Sequence, residues 1–369
     1  MPLLFVDLLS YTGTKGGMET YARELYRALG AALPDWDFLG MCSSEGYRLD
    51  DHAWFPGEVY DSGISGENRF AWARGELTQV ARHAKARKAD IVHCPATLGP
   101  RKTPMPTVMT MHDMLYWSHP QYMSTPLYTA PVKWMEKQAA RNATEILTIS
   151  DASKRAIIQY LGAGAEHVHV VPLGATPKAS DEKPRPRRGD LVIAEGNRRP
   201  HKNFDSLIRA LPLIPEAQRP HLVVTGSRGD DPLLPVVREL HLEDWVELKG
   251  WIPDEELDEL HHTCTALAMP SFYDGFCLPA LDAMLVGTPV LLSDIDVYRE
   301  VGGDAALYFD PTDLASIAEA MRRVVAEKGL ADSMRAAGLE RVKHFTWRKV
   351  AEETADVFRL ALERAGKRA

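Results

Sequence analysis

The sequence predicts an α/β protein built from two doubly wound, parallel-sheet domains that face each other across a cleft. Three observations carry this reading. Short β-branched runs alternate with longer amphipathic stretches, as in parallel sheets covered by helices. The 369 residues exceed what one ordinary core organises and suit two domains. Between the two sets of runs lies "TPKASDEKPRPRRGD", residues 176–190, with three prolines, mixed charge and no apolar periodicity, which reads as a linker.

In chain order, the first half offers strands at "LLFVDL", "ADIVHC", "TVMTMHD", "EILTIS" and "VHVVPLG", with helices such as Met18 to Leu29 and Pro131 to Arg141. The second half offers "DLVIAEG", "HLVVTGS", "VELKGW", "ALAMPS" and "TPVLLSD". Its helices run from Phe204 to Leu211, Asp254 to His261 and Pro279 to Val286. No internal repeat interrupts either set.

Composition narrows the function classes. With 45% hydrophobic and 25% charged residues the chain is globular, and a net charge of −8 argues against nucleic acid as a partner. The four cysteines, Cys42, Cys94, Cys264 and Cys277, have neither CxxC nor CxxH spacing, so neither zinc nor a disulfide framework is expected and a reducing cytoplasm fits. "MPLLFVDLLS" is apolar but brief and carries Asp7, so it reads as a first strand and not a signal peptide. No stretch is long enough to span a membrane.

Ligands of open parallel sheets bind outside the carboxyl ends of the strands, so chemistry is expected in strand-to-helix loops. In "YTGTKGGMET", residues 11–20, Gly16 and Gly17 let the backbone approach a ligand, and the following helix start suits phosphate. A plain tight turn explains the same residues, because neither the GxGxxG fingerprint nor the GxxxxGK[ST] loop is present. In "EGNRRPHKNFDSLIRAL", residues 195–211, Arg198, Arg199, His201 and Lys202 bunch at a strand end, where they suit a diphosphate or form a solvated loop.

"SFYDGFCLPALDAM", residues 271–284, follows another strand. Gly275 permits a turn, Pro279 suits a first helical turn, and the amides of Phe276, Cys277 and Leu278 face any anion in the cleft. Asp274 precedes the helix and is expected to meet hydroxyls near the reacting centre. Asp282 rides on the helix and meets hydroxyls further along, or merely favours the helix start. Together they describe a sugar nucleotide.

These residues carry a family resemblance. "AMPSFYDGFCLPALDAMLVGTPVLLSDIDVYREVGGDAALYFDPTD", residues 268–313, closely resembles the donor-site signature EGFGLPxLEAMAxGxPV of family 4 retaining glycosyltransferases. The likeness extends to the glycine loop at 13–17, "HD" at 112–113, "ISDASK" at 149–154, "RRPHKN", "LKGWIPDEEL" at 248–257 and "FTW" at 345–347. It implies the glycosyltransferase-B fold of two Rossmann-like domains. The acceptor domain would occupy 1–172, a linker 173–188, the nucleotide-sugar donor domain 189–345, and a terminal helix at 346–369 would return to the first domain.

The resemblance also implies roles. Asp274 and Asp282 fall on the family's paired glutamates, the first for donor sugar hydroxyls and the second for the ribose, each one methylene shorter. Cys277 stands where the family has glycine. Asn197 stands where a phosphate-binding arginine is usual, so Arg199, with Arg198 as second choice, would join Lys202 on the diphosphate. Gly16 and Gly17 would approach the diphosphate and sugar, and the backbone from Gly250 to Ile252 would edge the base. His112, in "MTMHD", matches a position near the transferred sugar; it would hold the sugar and stabilise charge at the anomeric carbon, oriented by Asp113.

The implied activity is transfer, with retention, of a hexose or deoxyhexose from a nucleotide-diphosphate sugar to a hydroxyl of a glycan, lipid-linked or natural-product acceptor. A GDP-mannose-like donor is favoured, with UDP and dTDP sugars compatible. No metal and no cofactor beyond the donor is expected. The basic stretch "RFAWARGELTQVARHAKARK", residues 69–88, reads as a helix that touches anionic membrane, giving a cytoplasmic protein peripheral to the inner face, or as a solvated helical face. An epimerase or phosphorylase on the same fold, or a silent nucleotide-sugar-binding subunit, are the alternatives.

Overall fold

The computed structural model describes residues 1–14, 16–123, 125–177 and 185–366. They divide into two compact units, one of Met1–Gly174 together with the segment from Thr346, the other of Ala175–Phe345. Much of the expected linker, 178–184, lies outside the described residues, as does the end of the terminal segment, 367–369.

The first unit carries a parallel sheet of β1 (Leu3–Leu8), β2 (Asp37–Cys42), β3 (Glu58–Asp61), β4 (Ile91–Cys94), β5 (Thr107–Thr110), β6 (Glu145–Thr148) and β7 (Val168–Val170), in the order β3-β2-β1-β4-β5-β6-β7. β4, β5 and β6 are buried at every position, which is why they read as short apolar runs without alternation. β2, "DFLGMC", and β3, "EVYD", lie outside the sequence reading. β2 has no β-branched residue, and β3 is an edge strand whose Glu58 and Asp61 are exposed. The strand expected through Asp113 is shorter. Pairing ends after the Met111 amide donates to Leu147 O at 2.8 Å, so His112 and Asp113 stand in the loop beyond β5.

The helix Gly17–Ala32 buries Tyr21, Leu25, Tyr26 and Leu29, one stripe at helical spacing. Against it packs the terminal helix Trp347–Arg364, which buries Val350, Ala351, Phe358, Ala361 and Leu362. Its start is capped by Thr346, whose hydroxyl accepts from the Lys349 amide, and Arg364 near its end donates to the fully buried Glu145 at 2.8 Å. Residues 69–88 do not form one regular helix. Arg69–Arg74 and Val80–Ala86 are α-helical, and Gly75–Gln79 between them is a π turn that carries Glu76 into the interior.

The second unit carries β8 (Leu191–Glu195), β9 (His221–Ser227), β10 (Val246–Gly250), β11 (Ala266–Met269), β12 (Val290–Ser293) and β13 (Ala306–Phe309), parallel and in the order β10-β9-β8-β11-β12-β13. β8 and β9 bury Ala194, Leu222 and Val224 in one core with Phe204, Leu207, Ile208, Ile317 and Met321 from covering helices. The end of the Pro-rich stretch is docked, in contrast to a free linker. The Arg187 guanidinium donates to the carbonyls of Cys264 and Val286 and to Thr288 Oγ1, at 2.7–3.0 Å, and so satisfies carbonyls left open at two helix ends.

Each strand order reverses once, between β1 and β4 in the first unit and between β8 and β11 in the second. Those switch points open a crevice at the strands' carboxyl ends, and the loops that follow are where ligands of such sheets bind.

Candidate functional site

In the second unit, Lys202 and Asp274 come from loops on the two sides of the switch point. Lys202 follows β8 and Asp274 follows β11, yet the Lys202 ammonium lies 2.6 Å from Asp274 Oδ2. Asn203 fastens the two loops. It adopts φ 56°, a conformation asparagine tolerates, and its amide donates to Pro270 O and Pro311 O at 3.0 Å. A backbone bond from the Phe272 amide to His201 O, 2.8 Å, adds a second tie.

Asp274 is held on both oxygens. Oδ2 also accepts from the buried Tyr298 hydroxyl at 3.0 Å, and Oδ1 accepts from the Gly275 amide at 3.1 Å. Beyond it the amides of Phe276, Cys277 and Leu278 have no acceptor among the described residues and stand at the start of the helix Leu278–Leu285, where the helix dipole favours an anion. Phe276 packs its ring against Phe345. Cys277 is buried, and burial pushes its thiol up to about 12, so it is a small packing residue without thiolate character.

The two adjacent arginines differ completely. Arg198 donates to Asp231 at 2.9 Å and to the carbonyls of Val224, Thr225, Gly196 and Lys249, bracing the ends of β8, β9 and β10. Arg199 is exposed and has no ion pair among the described residues. Gly250 closes β10 at a register shift, followed by Trp251, 62% exposed beneath the Arg228 guanidinium at 4.8 Å, and the half-buried Ile252. Asp282, one turn into the helix Leu278–Leu285, lines a small cavity with Thr176, Leu257 and His261. His261 in turn donates from Nε2 to Glu195 at 2.8 Å.

In the first unit, Gly16 has φ 60° and ψ −122°, open to glycine alone, and Gly17 begins the helix behind it. Among the described residues no heavy atom lies within 4 Å of where a Cβ on Gly16 would stand. The loop ahead is already occupied by an internal anion: Glu19 Oε1 accepts from the amides of Thr12, Gly13 and Thr14 at 2.7, 2.8 and 3.2 Å. The amides of Thr12, Gly13 and Thr14 are therefore already satisfied from within the chain.

His112 donates from Nε2 to Pro95 O at 2.8 Å and meets Tyr21 edge-on at 4.9 Å. Burial lowers its pKa to about 4, so the ring is neutral at physiological pH and Nδ1 is an acceptor. The Nε2 partner is the Pro95 carbonyl, and Asp113 Oδ1 accepts from the Leu115 amide at 2.7 Å.

Several residues that build the site escape the sequence reading. Tyr298 lies within a quoted motif, and its helical spacing with Val297 and Val301 on a buried face is the available signal, since a buried tyrosine hydroxyl requires a partner. Asp7 and Glu76 form a buried carboxyl pair at the end of β1. Burial raises both pKa values, that of Glu76 well above normal with Asp7 adding to the rise. Among the described residues no group of three or more His, Cys, Asp or Glu forms a metal-binding cluster, and no helix is long and apolar enough to cross a membrane.

Comparison with known proteins agrees with this geometry. Residues 15–179 match the family described as Glycosyltransferase Family 4, and residues 176–341 match Glycosyl transferases group 1. The O-antigen chain mannosyltransferase B of Escherichia coli is 31% identical over 273 residues, covering 69% of this chain and 70% of that protein. Sucrose-phosphate synthase from Thermosynechococcus elongatus superimposes with a TM-score of 0.75 at 19% identity, over 99% of this chain and 100% of that one. Anabaena HepE in complex with UDP-glucose gives a TM-score of 0.70 at 19% identity, over 97% and 99%. Two parallel-sheet α/β units of the glycosyltransferase-B fold, matched by sequence across both, make this chain a member of the family 4 glycosyltransferases.

Proposed function

We propose that the protein transfers a hexose or deoxyhexose, with retention, from a nucleotide-diphosphate sugar to a hydroxyl of a glycan, lipid-linked or small-molecule acceptor. The observation that carries this is the Lys202–Asp274 pair at the second switch point, an ammonium and a carboxylate 2.6 Å apart beside open helix-start amides. One group suits a diphosphate and the other the hydroxyls of the sugar attached to it.

In the reaction, the acceptor oxygen bonds to the anomeric carbon on the face from which the diphosphate departs. The bond from that carbon to the phosphate oxygen breaks, and the acceptor proton passes to the departing diphosphate. Charge separation is the costly part. Lys202, the exposed Arg199 and the amides of Phe276 to Leu278 meet the growing negative charge, a task that needs neither metal nor further cofactor. Asp282 holds the ribose, the chain from Gly250 to Ile252 edges the base, and Gly16 and Gly17 approach the diphosphate and sugar. His112, neutral, accepts a sugar hydroxyl at Nδ1.

The mannosyltransferase relative favours a GDP-mannose-like donor, and the UDP-glucose complex of HepE keeps UDP sugars as the competing choice. Peripheral membrane contact through 69–88 fits the exposed Phe70, Arg74, Arg82 and Lys85. A thermal-shift screen of GDP, UDP and dTDP tests the donor reading. Stabilisation by one diphosphate is the expected result, and indifference to all of them would sink it.

A further inference from the structure

The first unit holds a second concave surface at the opposite end of its sheet from Gly16 and His112. It is a depression of about 640 Å³, the size of ordinary ligand sites, lined by Leu33, Pro34, Asp35, Trp36, Arg359 and Glu363. The turn between the helix Gly17–Ala32 and β2 forms one wall, and the last turns of the terminal helix form the other.

Three of its polar groups are unspent, and two of its side chains are held in place. Trp36 stacks on Phe358, which is fully buried, so the indole is anchored from behind. Its ring N–H has no partner among the described residues, and neither has the carboxylate of the exposed Asp35 or Glu363. Arg359 is oriented by Ala32 O at 3.1 Å and Asp356 at 2.8 Å, the latter offsetting its charge. The wall is therefore net negative and disfavours phosphate, nucleotide or anionic lipid. An apolar ring face, two hydroxyl acceptors and two N–H donors around one depression match a neutral polyol with apolar C–H faces.

We propose that this depression binds a neutral oligosaccharide, a glycan subsite remote from the transfer centre that tethers the acceptor or product chain. The inference rests on the glycan-acceptor reading but is tested by binding alone, without turnover. The probes are mannotetraose and maltotetraose, titrated into 5-fluorotryptophan-labelled protein and followed by ¹⁹F NMR. The Trp36 resonance, identified by its absence from Trp36→Ala, is expected to shift on addition of at least one sugar. Asp35→Asn/Glu363→Gln, both at exposed positions, is expected to weaken that binding by roughly tenfold while the GDP or UDP response persists. Transfer to a monosaccharide-sized acceptor is expected to be unchanged in Trp36→Ala. A Trp36 resonance that ignores both sugars while nucleoside diphosphate still binds overturns the subsite and leaves the transferase reading intact. A shift with spermidine instead of sugar overturns it equally, as a cation site. Loss of nucleotide response in the wild-type protein strikes the transferase reading.

Discussion

The Tyr298 hydroxyl lies 3.0 Å from Asp274 Oδ2 and 2.8 Å from Ser271 Oγ, joining the helix Asp296–Gly302 to the loop after β11. A hydroxyl has one proton, so Tyr298 donates to the carboxylate and accepts from Ser271. Asp274 is thereby fixed in place independently of Lys202. The lysine can leave for a diphosphate while the carboxylate remains where a sugar hydroxyl would find it.

This arrangement separates the roles of the ion pair. In Asp274→Asn, Lys202 loses its competitor and the sugar loses a charged acceptor. Turnover is expected to fall by about 100-fold or more, while affinity for nucleoside diphosphate is unchanged or tighter, because that ligand has no sugar to hold. Tyr298→Phe should act in the same direction but more mildly, by about tenfold in kcat/KM, the size of one hydrogen bond to a charged group. Steady-state kinetics with calorimetric titration of the diphosphate reads both. Diphosphate binding lost together with turnover in Asp274→Asn would contradict the division of labour.

Lys202→Ala gives the complementary pattern. It removes the fixed charge beside the departing group, so turnover is expected to fall by roughly 100- to 1000-fold and diphosphate affinity to fall with it. Circular dichroism should show an unchanged fold. Wild-type turnover in this variant would mean that the diphosphate goes elsewhere.

Arg198 and Arg199 predict opposite phenotypes from adjacent positions. Arg198 pairs with Asp231 at side-chain exposures of 7% and 13%, and removing one partner of such a pair strands the other. Arg198→Ala is expected to cost about 3 kcal/mol of stability in urea unfolding. Arg199→Ala, at an exposed site, should leave stability within about 0.5 kcal/mol and weaken donor binding. Equal loss of stability in both variants would count against the assignment.

The same pair shows where the sequence stops being informative. The motif around 195–211 identifies a basic cluster at a strand end, because charge and a following amphipathic helix are local properties. Which arginine turns inward depends on Asp231 and the Lys249 carbonyl, far along the chain, and no spacing rule encodes that. Asp274 was legible for a similar reason, as a carboxylate flanked by a turn glycine and a helix start. Its supporting Tyr298 required the fold. The parallel strands were readable where rich in β-branched residues and mostly or wholly buried, as in "LVIAE" and "IVHC", whereas β2 and the short edge strand β3 lack that composition. The neutral state of His112 is tertiary in origin, set by burial against Tyr21 and Pro95.

That neutral histidine and a protonated carboxyl give the first unit opposite responses to pH. His112 is lowered from 6.5 to about 4 and His93, buried with Tyr26 and Thr110, to about 3, chiefly by desolvation. Below about pH 6.5 the unfolded chain takes up protons at these positions that the native state refuses, so stability should fall as pH drops from about 6.5 toward 4. For His112 alone the full effect is about 3 kcal/mol at most. Glu136 runs the other way. Burial raises it to about 8, with Asp113 adding to the rise, while its Oε2 accepts from Trp117 Nε1 at 2.6 Å. Its contribution is intact below about pH 4.5 and is lost as pH climbs through 8, since the unfolded chain releases that proton first. Urea unfolding between pH 4 and 9 should show His112→Gln flattening the acid limb. Glu136→Gln, which keeps an oxygen for Trp117, should flatten the alkaline limb and stabilise the protein at pH 8 by a few kcal/mol. An alkaline limb that is the same with and without Glu136 would show that this carboxyl is ionised in the native state and that its burial is compensated by another group.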